Sequence, residues 1–279
     1  MAQALAEAAA RLQRAGIPGA RGEARVLVAA ATGLSREALI AEPERALSVA
    51  HRGRLADLVA RRARREPMAY VLGRREFWSL DLGVGPGVLV PRPDTETVVE
   101  AVLEALPDRR APLRLLDLGT GSGCLLLALL SELPRATGLG VDAAPEAVAV
   151  AAANAAALGL AGRAAFRLGD WGRGLDGAYD VVVSNPPYIP GRDIATLEPE
   201  VRDFEPREAL EGGEDGLDAY RRLAPDAARL LPAGGLAALE IGQGQAEAVG
   251  AIMSAQGLEP IGVRRDLAGI ERCLILRRR

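Results

Sequence analysis

Hydrophobic and polar positions follow two different patterns along the chain. Residues 1–72 are rich in alanine, leucine, glutamate and arginine, with breaks at 16–19, 32–33 and 42–43. This composition predicts helices almost throughout. The longest predicted helix begins after Ser48 and ends before Pro67. Most of its arginines are expected to face solvent: Arg52, Arg54, Arg61, Arg62, Arg64 and Arg65.

From about residue 112, short apolar segments alternate with helical ones. Apolar strands alternating with helices predict an α/β domain with a mostly parallel sheet covered on both faces. Residues 258–279 predict two antiparallel strands added at the edge of that sheet. The other predicted strands are 113–118, 137–141, 164–168, 179–184 and 236–241, and the predicted helices are 124–132, 145–158, 217–230 and 245–256.

Three regions follow from this pattern. A helical N-terminal domain is expected over residues 1–72, and a hairpin with a linker over residues 73–95, where alternation and glycines occur together. An α/β domain is expected over residues 96–279, and its first helix runs from 96 to 105. Asp94 or Thr95 can cap that helix.

Composition excludes several classes of function. The net charge of −3 gives no general case for nucleic-acid binding, which is usually carried by a basic domain. The two cysteines are far apart and form no CxxC pair, and there is one histidine, so neither a disulfide framework nor a metal site is expected. No signal peptide or membrane span is expected. We therefore expect a cytoplasmic protein without a stable contact to membranes or nucleic acids.

A glycine-rich loop, LLDLGTGSGC, follows the first strand of the α/β domain. Such glycines let the backbone approach a ligand closely, although a tight turn without a ligand has the same pattern. A dinucleotide fingerprint starting at Gly119 would need glycine or alanine where Cys124 stands. The pattern D-x-G-x-G-x-G instead resembles the loop of S-adenosylmethionine-dependent methyltransferases. This resemblance implies S-adenosylmethionine as the cofactor and contacts to it from Asp117, Gly119, Thr120, Gly121, Ser122 and Gly123.

The ends of the next two strands carry further candidates for cofactor binding. Asp142 can accept hydrogen bonds from both ribose hydroxyls, a role that suits NAD as well as S-adenosylmethionine. Its alternative role is to cap the helix that follows. After the third strand, Asp170 can accept from an adenine amino group and Trp171 can lie beside the adenine ring. Taken alone, an Asp-Trp pair in a loop is more often structural.

The fourth strand ends in the segment SNPPY, in which two prolines hold Asn185 rigidly at the sheet edge. Ligands bind at the carboxyl ends of parallel strands, so Asn185 is expected to face the methyl donor and to contribute to its site. The segment resembles the NPPY motif of methyltransferases that act on amides and on exocyclic amines of nucleobases.

This motif suits a nitrogen that is a poor nucleophile because its lone pair is delocalised. The Asn185 side-chain oxygen and the Pro186 carbonyl can each accept one N–H hydrogen bond from the acceptor. Those bonds strengthen as positive charge develops on the nitrogen. Pro187 helps to lock the turn, and Tyr188 offers a flat face to a planar amide or base. Asn185, Pro186 and Tyr188 are therefore the candidate catalytic residues.

Longer segments indicate which amine is methylated. VLVPRPDTE at 88–96 and FEPREALEGGEDGLDAYRRL at 204–223 resemble signature segments of the glutamine N5-methyltransferases that modify peptide chain release factors. So do EFW at 76–78, LEIGQGQ at 239–245 and DLAGIER at 266–272. Within the second segment, EGGEDG alone would predict a solvated acidic loop.

The resemblance covers essentially the whole chain and implies a seven-stranded, Rossmann-like methyltransferase sheet behind a small helical domain that docks the substrate. It implies that the substrate is the glutamine of the Gly-Gly-Gln (GGQ) motif of a release factor. It also implies that Asn185 and Pro186 hold the side-chain amide of that glutamine. The remaining substrate-binding residues it implies are Pro187, Tyr188, Phe77 and Arg92.

Three alternatives remain open at this stage. A DNA or RNA amine methyltransferase would use the same pocket, but it predicts a basic groove, for which the arginines at 61–65 are the best support. A scaffold that binds a partner through its helical domain would need neither the NPPY segment nor the glycine loop. A nicotinamide oxidoreductase is disfavoured by Cys124.

Overall fold

The computed structural model describes all 279 residues, and its contacts separate two compact units. The first unit comprises Met1–Arg74 together with the short segment Glu198–Phe204. The second comprises Arg75–Leu197 and Glu205–Arg279. Nothing in the sequence pattern indicates that the segment Glu198–Phe204 joins the first unit. The domain boundaries expected at residues 72 and 95 stay a prediction.

The first unit is helical. Its helices pack around an apolar core that includes Leu12, Leu27 and Val59. Ser48 caps the longest helix as expected, because its hydroxyl accepts a hydrogen bond from the His51 backbone N–H at 3.1 Å. The helices are α1 (Ala2–Arg14), α2 (Ala20–Thr32), α3 (Arg36–Ala41), α4 (Val49–Ala63) and α5 (Met68–Leu72), and α9 (Pro199–Arg202) lies in the added segment.

The expectation that the arginines of α4 face solvent is wrong for Arg62. Its side chain is buried and pairs with Glu23 at 2.6 Å and with Glu200 at 2.9 Å. Arg65 contacts Glu200 as well, at 2.6 Å. A guanidinium carries five donors in a planar fork, so it can be buried when carboxylates take those donors.

The second unit is built on a seven-stranded sheet, with a separate two-stranded hairpin before it. Its strands and helices begin and end close to the predicted residues. The hairpin is β1 (Arg74–Phe77) and β2 (Leu80–Gly83). The other elements are α6 (Glu96–Ala105), β3 (Arg114–Leu118), α7 (Cys124–Glu132), β4 (Thr137–Asp142), α8 (Pro145–Ala157), β5 (Ala164–Leu168), β6 (Val181–Ser184), α10 (Asp218–Leu230), β7 (Leu236–Glu240), α11 (Ala246–Ser254), β8 (Leu258–Arg265) and β9 (Glu271–Arg278).

The strand order in the large sheet is β5-β4-β3-β6-β7-β9-β8. The first five strands in that order are parallel, and β9 pairs antiparallel with β7 and β8. Successive side chains of each central strand enter different apolar clusters: Leu115 and Val181 lie in one, Leu116 and Val182 in the other. The sheet is therefore buried on both faces, which explains why its strands are continuously apolar.

Parallel pairing brings the carboxyl ends of four strands to the same edge of the sheet. Leu118 of β3 lies beside Val141 of β4, and Ser184 of β6 lies beside Leu239 of β7. The polar residues that follow these positions are thereby held close to one another by backbone hydrogen bonds. None of the helices has both the length and the apolar character that crossing a bilayer requires.

The buried Arg62 predicts a large effect on stability. Arg62→Ala should lower the free energy of unfolding by about 3–5 kcal/mol, because Glu23 and Glu200 would keep their charges without the buried partner. The matched control is Arg64→Ala, at the exposed position that directly follows the same helix, which should change the free energy of unfolding by less than about 0.5 kcal/mol. Denaturant unfolding of the full chain measures both, and equal effects of the two substitutions would contradict the assignment.

Candidate active site

A cavity of about 620 Å³ opens at the carboxyl edge of the sheet. It is lined by the glycine loop after β3, the tip of β4, the loop after β5 and the turn after β6. This is the volume of a site for a small organic molecule. The predicted site residues that line it are Asp117, Gly119, Thr120, Gly121, Ser122, Asp142, Asp170, Trp171, Asn185 and Pro187.

The glycine loop is held in a tight turn against the neighbouring strand. The backbone N–H groups of Gly119 and Thr120 both donate to the Val141 carbonyl, at 2.8 and 3.0 Å. Gly123 directly precedes α7 with φ at 82°, and a Cβ there would lie 3.1 Å from the Ala151 side chain. Both the positive φ and this close approach require glycine. Gly123 therefore shapes the loop from behind and does not itself line the cavity.

Asp117 is a buried carboxylate in the wall of the cavity. Its Oδ2 accepts a hydrogen bond from the Thr120 hydroxyl at 2.7 Å, whereas its Oδ1 has no partner. Burial, assisted by the nearby charge of Asp142, raises the pKa of Asp117 to about 7. The hydroxyl of Ser122 is also buried without a partner. Buried polar atoms are nearly always hydrogen-bonded, so these two atoms indicate a polar ligand.

Asp142 at the tip of β4 stabilises the loops around it. Its Oδ2 accepts from the Gly121 N–H at 2.8 Å, and its Oδ1 accepts from the Ala144 N–H at 3.0 Å, just before α8. Asp142 therefore does not cap α8, whose N-cap residue is Ala144 without a side-chain cap, but it does hold the backbone just before that helix. Each carboxylate oxygen can accept a second hydrogen bond, so Asp142 retains the capacity to bind hydroxyls of a ligand.

Asp170 and Trp171 form the far side of the cavity. Asp170 pairs with Arg222 at 2.7 Å, and both side chains are largely exposed. Trp171 adopts the left-handed backbone region with φ at 51°. Its ring lies against the glycine loop, since a Cβ on Gly119 would be 3.5 Å from it. A flat aromatic ring thus packs beside the glycine loop in the wall of the cavity.

Asn185 is held by its side chain as well as by the prolines. Its Nδ2 donates a hydrogen bond to the hydroxyl oxygen of Thr95 at 3.2 Å. One step back, the Ser184 hydroxyl donates to the Leu118 carbonyl and ties the ends of β6 and β3 together. With Nδ2 anchored, Oδ1 of Asn185 stays available as an acceptor at the cavity.

Behind this turn lies Glu240, the last residue of β7. Its side-chain Oε1 accepts from the Tyr188 hydroxyl at 3.1 Å, and its backbone carbonyl accepts from the Tyr220 hydroxyl at 2.8 Å. Burial raises the pKa of Glu240 to about 7, against the opposing effects of Thr95, Tyr188 and Arg272. The pKa of Tyr188 is also raised, by burial and by the Glu240 charge. The carboxylate thus lies below the turn that carries Asn185.

Besides Gly123, four predicted residues do not line this cavity. Pro186 is buried, and Tyr188 turns its hydroxyl away to Glu240. Phe77 is fully buried in the core of the second unit. Arg92 pairs with the buried Glu205, which also accepts from the Val90 N–H at 3.0 Å. Their roles in substrate binding stay predictions.

The segment EGGEDG at 211–216 is not simply a solvated loop, as its composition suggested. The Gly212 N–H donates to the Ile189 carbonyl at 2.9 Å, and Gly216 packs so tightly on Tyr188 that no Cβ fits there. Gln245 donates to the Tyr188 carbonyl at 3.1 Å from the other side. Only the middle of the segment is exposed. The segment therefore supports the turn after Asn185.

Comparison with known proteins identifies the family. The family model described as PrmC N-terminal domain matches residues 3–73, and Methyltransferase small domain matches residues 92–198. The release factor glutamine methyltransferase of Rhodospirillum rubrum is 51% identical, over 96% of this chain and 82% of the relative. The protein of the same name from Moorella thermoacetica is 47% identical, over 99% and 98%. The chain belongs to the release factor glutamine methyltransferase family.

Solved structures show the fold expected of a release factor glutamine methyltransferase. A ribosomal protein L11 methylase from Lactobacillus delbrueckii superposes with a TM-score of 0.52 at 20% identity, covering 70% of this chain and 84% of that one. A 16S rRNA methyltransferase of T. thermophilus, solved with AdoMet and guanosine, gives 0.54 at 20% identity, covering 74% and 50%. These structures confirm the predicted Rossmann-like fold, and the relatives from Rhodospirillum rubrum and Moorella thermoacetica confirm the family and the enzyme class.

Thr95, Glu205 and Glu240 contact the predicted site residues Asn185, Arg92 and Tyr188, respectively. Sequence reasoning placed Thr95 only in the segment 92–96 that walls the pocket, and it gave the two glutamates no role. Each lies inside a segment that resembles the family, but its partners come from distant parts of the chain. Asn185 lies 90 positions from Thr95, and Val90 lies 115 positions from Glu205. The one available signal was an isolated acidic residue, Glu240, at the end of an apolar strand.

Because Asp117 is buried with one oxygen unpartnered, the stability of this methyltransferase should depend on pH. The pKa of Asp117 is about 7 in the folded protein, whereas the ordinary pKa of an aspartate is 3.8. The folded protein therefore binds this proton more tightly than the unfolded chain does. Between those values the folded state holds more protons, so this residue makes stability fall as pH rises from about 4 to 7. Asp117→Asn should therefore be more stable than the ligand-free parent at pH 8, with a difference that shrinks toward pH 5.

Thermal unfolding of both ligand-free proteins across this pH range measures the difference. The matched control is Asp176→Asn, at an exposed position, which should leave the curve unchanged. A constant difference across the range would mean that Asp117 is not protonated near neutral pH.

Proposed function

We propose that this protein transfers the methyl group of S-adenosylmethionine to the side-chain amide nitrogen (N5) of the glutamine in the GGQ motif of peptide chain release factors. The observation that carries this proposal is the anchored Asn185, whose Nδ2 is held by Thr95 while Oδ1 remains free to accept. A primary amide needs such an acceptor, because it offers only N–H donors on the reacting nitrogen. The names of the curated relatives support the same acceptor.

The residues that line the cavity fit S-adenosylmethionine. The cofactor supplies an electrophilic methyl group on a sulfonium when it is bound. The orphaned oxygens of Asp117 and Ser122 suit its amino acid moiety, and Asp142 retains acceptor positions for ribose hydroxyls. Trp171 offers a flat surface for adenine, and Asp170 offers a carboxylate for the adenine amino group.

Asn185 acts on the acceptor amide by orientation and charge. The amide lone pair is delocalised, so the NH2 group must be held with that lone pair aimed at the methyl carbon. Oδ1 of Asn185 accepts one N–H bond, and we assign the second to the Pro186 carbonyl. Both bonds strengthen as positive charge develops on nitrogen, which stabilises the transition state more than the ground state. The methylated nitrogen is then strongly acidic, so no general base is required before transfer.

The charges at the cavity favour a protein amide over a nucleic-acid base. Six acidic residues and one arginine line it: Asp117, Asp142, Asp170, Glu208, Glu211, Asp218 and Arg222. A phosphate backbone would approach this surface against electrostatic repulsion. We also propose that the helical first unit docks the release factor, and that the protein is cytoplasmic, where its free Cys124 and Cys273 stay reduced.

The substrate class is tested by measuring which macromolecule receives a labelled methyl group. The protein is incubated with methyl-labelled S-adenosylmethionine and, in separate reactions, with a release factor, duplex DNA and ribosomal RNA. Label is expected in the release factor alone. Label in either nucleic acid with none in the release factor would establish the nucleobase alternative instead.

Replacement of Asn185 separates its role from that of the cofactor site. Asn185→Ala should reduce single-turnover methyl transfer by about 10²–10³-fold, because one preorganised transition-state hydrogen bond is lost. Cofactor affinity should change little, since the glycine loop and Asp142 remain. Asn185→Asp retains an acceptor and should lose less. A rate within a few-fold of the parent for Asn185→Ala would refute the orienting role, and a loss of cofactor binding would assign Asn185 to the other site.

Asp142 is expected to contribute to cofactor binding and not to the orientation of the acceptor amide. Asp142→Ala should weaken S-adenosylmethionine binding by up to roughly 1.5–3 kcal/mol for each charged hydrogen bond that is lost. Calorimetric titration measures this, with the exposed Asp176→Ala as the matched control. Unchanged affinity in a folded variant would leave Asp142 with only the loop-stabilising contacts to Gly121 and Ala144.

A further inference from the structure

Glu240 is a buried carboxylate immediately behind the turn that holds the acceptor amide. The pairing of Ser184 with Leu239 places Glu240 beside Asn185 at the sheet edge. The residue is only 1% exposed. Its Oε1 accepts from the Tyr188 hydroxyl at 3.1 Å, and its Oε2 is buried without a direct hydrogen bond.

Thr95 holds the side chain of Asn185. Its hydroxyl oxygen accepts the Asn185 Nδ2–H at 3.2 Å, and the side chain is buried. A hydroxyl that accepts still has its own hydrogen to donate. The Thr95 hydroxyl makes no direct hydrogen bond to Glu240 here, yet it lies close enough to lower the pKa of that carboxylate as a donor. By geometry, Glu240 ends the strand next to the one that Asn185 follows, and Asn185 is bonded to Thr95. Asn185, Thr95 and Glu240 are called the row below.

Packing does not explain the carboxylate. A buried charge is costly, and apolar side chains of similar volume are often as stable or more stable at such positions. The neighbouring strand offers an apolar environment, since Cys273 lies opposite Glu240 in the sheet and is itself buried. An apolar residue would fill this space without leaving Oε2 unsatisfied.

Several charged and titratable groups face Glu240. Arg272 on β9 favours its ionised form, and Asp94 before α6 opposes it. Arg272 is itself shared between Asp266 at 3.0 Å and Asp94 at 3.4 Å. The Tyr188, Tyr220 and Cys273 groups are kept neutral, because burial and the Glu240 charge raise the pKa of each. Glu240 is thus the group in this cluster whose charge can change near neutral pH.

We propose that ionised Glu240 is a positioning residue that fixes the direction of the hydrogen bonds from Asn185 through Thr95. This proposal deepens the proposed function and rests on it. A carboxylate can only accept, so its charge favours a Thr95 hydroxyl whose hydrogen points toward it. The Thr95 oxygen then accepts from Nδ2 of Asn185. The Asn185 amide is thereby held with Oδ1 toward the acceptor amide.

A neutral donor in place of the Glu240 carboxylate would reverse the direction of the hydrogen bonds in this row. The amide of Glu240→Gln can donate to the Thr95 oxygen, and the Thr95 hydrogen then points to Asn185. Oδ1 of Asn185 would then turn toward Thr95 to accept that hydrogen, and the Asn185 NH2 group would turn toward the acceptor amide. The NH2 groups of Asn185 and of the acceptor amide would then face each other, and neither can accept a hydrogen bond in the required direction. The acceptor would lose its orientation although the shape of the pocket is unchanged.

Single-turnover methyl transfer to a release factor, measured across pH, tests the proposal. S-adenosylmethionine is kept saturating at every pH, so that protonation of Asp117 in the cofactor site does not limit the rate. The parent rate is then expected to fall as pH drops through the ionisation of Glu240. Glu240→Gln should be slower by about 100-fold at high pH and should lose this acid limb. Its cofactor affinity and thermal stability should match those of the parent. Glu104→Gln, at an exposed position, is the matched control and should behave as the parent does.

Thr95 provides the second test. Thr95→Val removes the hydroxyl and should lower the rate by itself, whereas Thr95→Ser retains the hydroxyl and should restore the rate. Glu240→Gln should add little in the Thr95→Val background, because both substitutions interrupt the same row. Fully additive losses would show that Glu240 acts through Tyr188 or through stability, and they would overturn the proposal.

The outcomes separate this proposal from the one on which it rests. Failure of the parent protein to methylate any release factor would overturn both. An active parent together with a Glu240→Gln variant that keeps its rate within about three-fold, and keeps the acid limb, would overturn the positioning role alone.

Discussion

The parallel pairing of β3, β4, β6 and β7 is the constraint on which the site depends. It brings Asp117, Asp142, Asn185 and Glu240 to one edge of the sheet, although they are distant in the sequence. Backbone hydrogen bonds of a sheet buried on both faces hold these positions rigidly. A small misplacement of catalytic groups costs much of their effect, so such a scaffold suits a reaction that proceeds mainly by orientation.

At the same edge, two buried carboxylates destabilise the folded protein when no ligand is bound. Asp117 and Glu240 are both fully buried carboxylates, and burial raises the pKa of each to about 7. Each also has one oxygen without a hydrogen-bond partner. Groups of this kind reduce the stability of the folded protein, and they concentrate where a ligand or a transition state satisfies them.

The sequence predicted the order of strands and helices and the residues at the tips of β4, β5 and β6, because hydrophobic period and strand-end position are local signals. It did not predict the burial of Arg62 or the roles of Thr95 and Glu240. Those depend on pairs far apart in the chain, such as Arg62 with Glu200 and Asn185 with Thr95. A single sequence carries no local signal for such pairs. The expectation that Asp94 or Thr95 caps α6 is wrong for Thr95, which makes no capping hydrogen bond and instead contacts Asn185.

The central claim is that this edge of the sheet presents a side-chain amide to the methyl donor. The most direct measurement is tandem mass spectrometry of a release factor after reaction with the protein and methyl-labelled S-adenosylmethionine. The account predicts a single labelled methyl group on the side-chain amide of the glutamine in the Gly-Gly-Gln motif. A labelled methyl group on any other residue, with that glutamine unmodified, would contradict it.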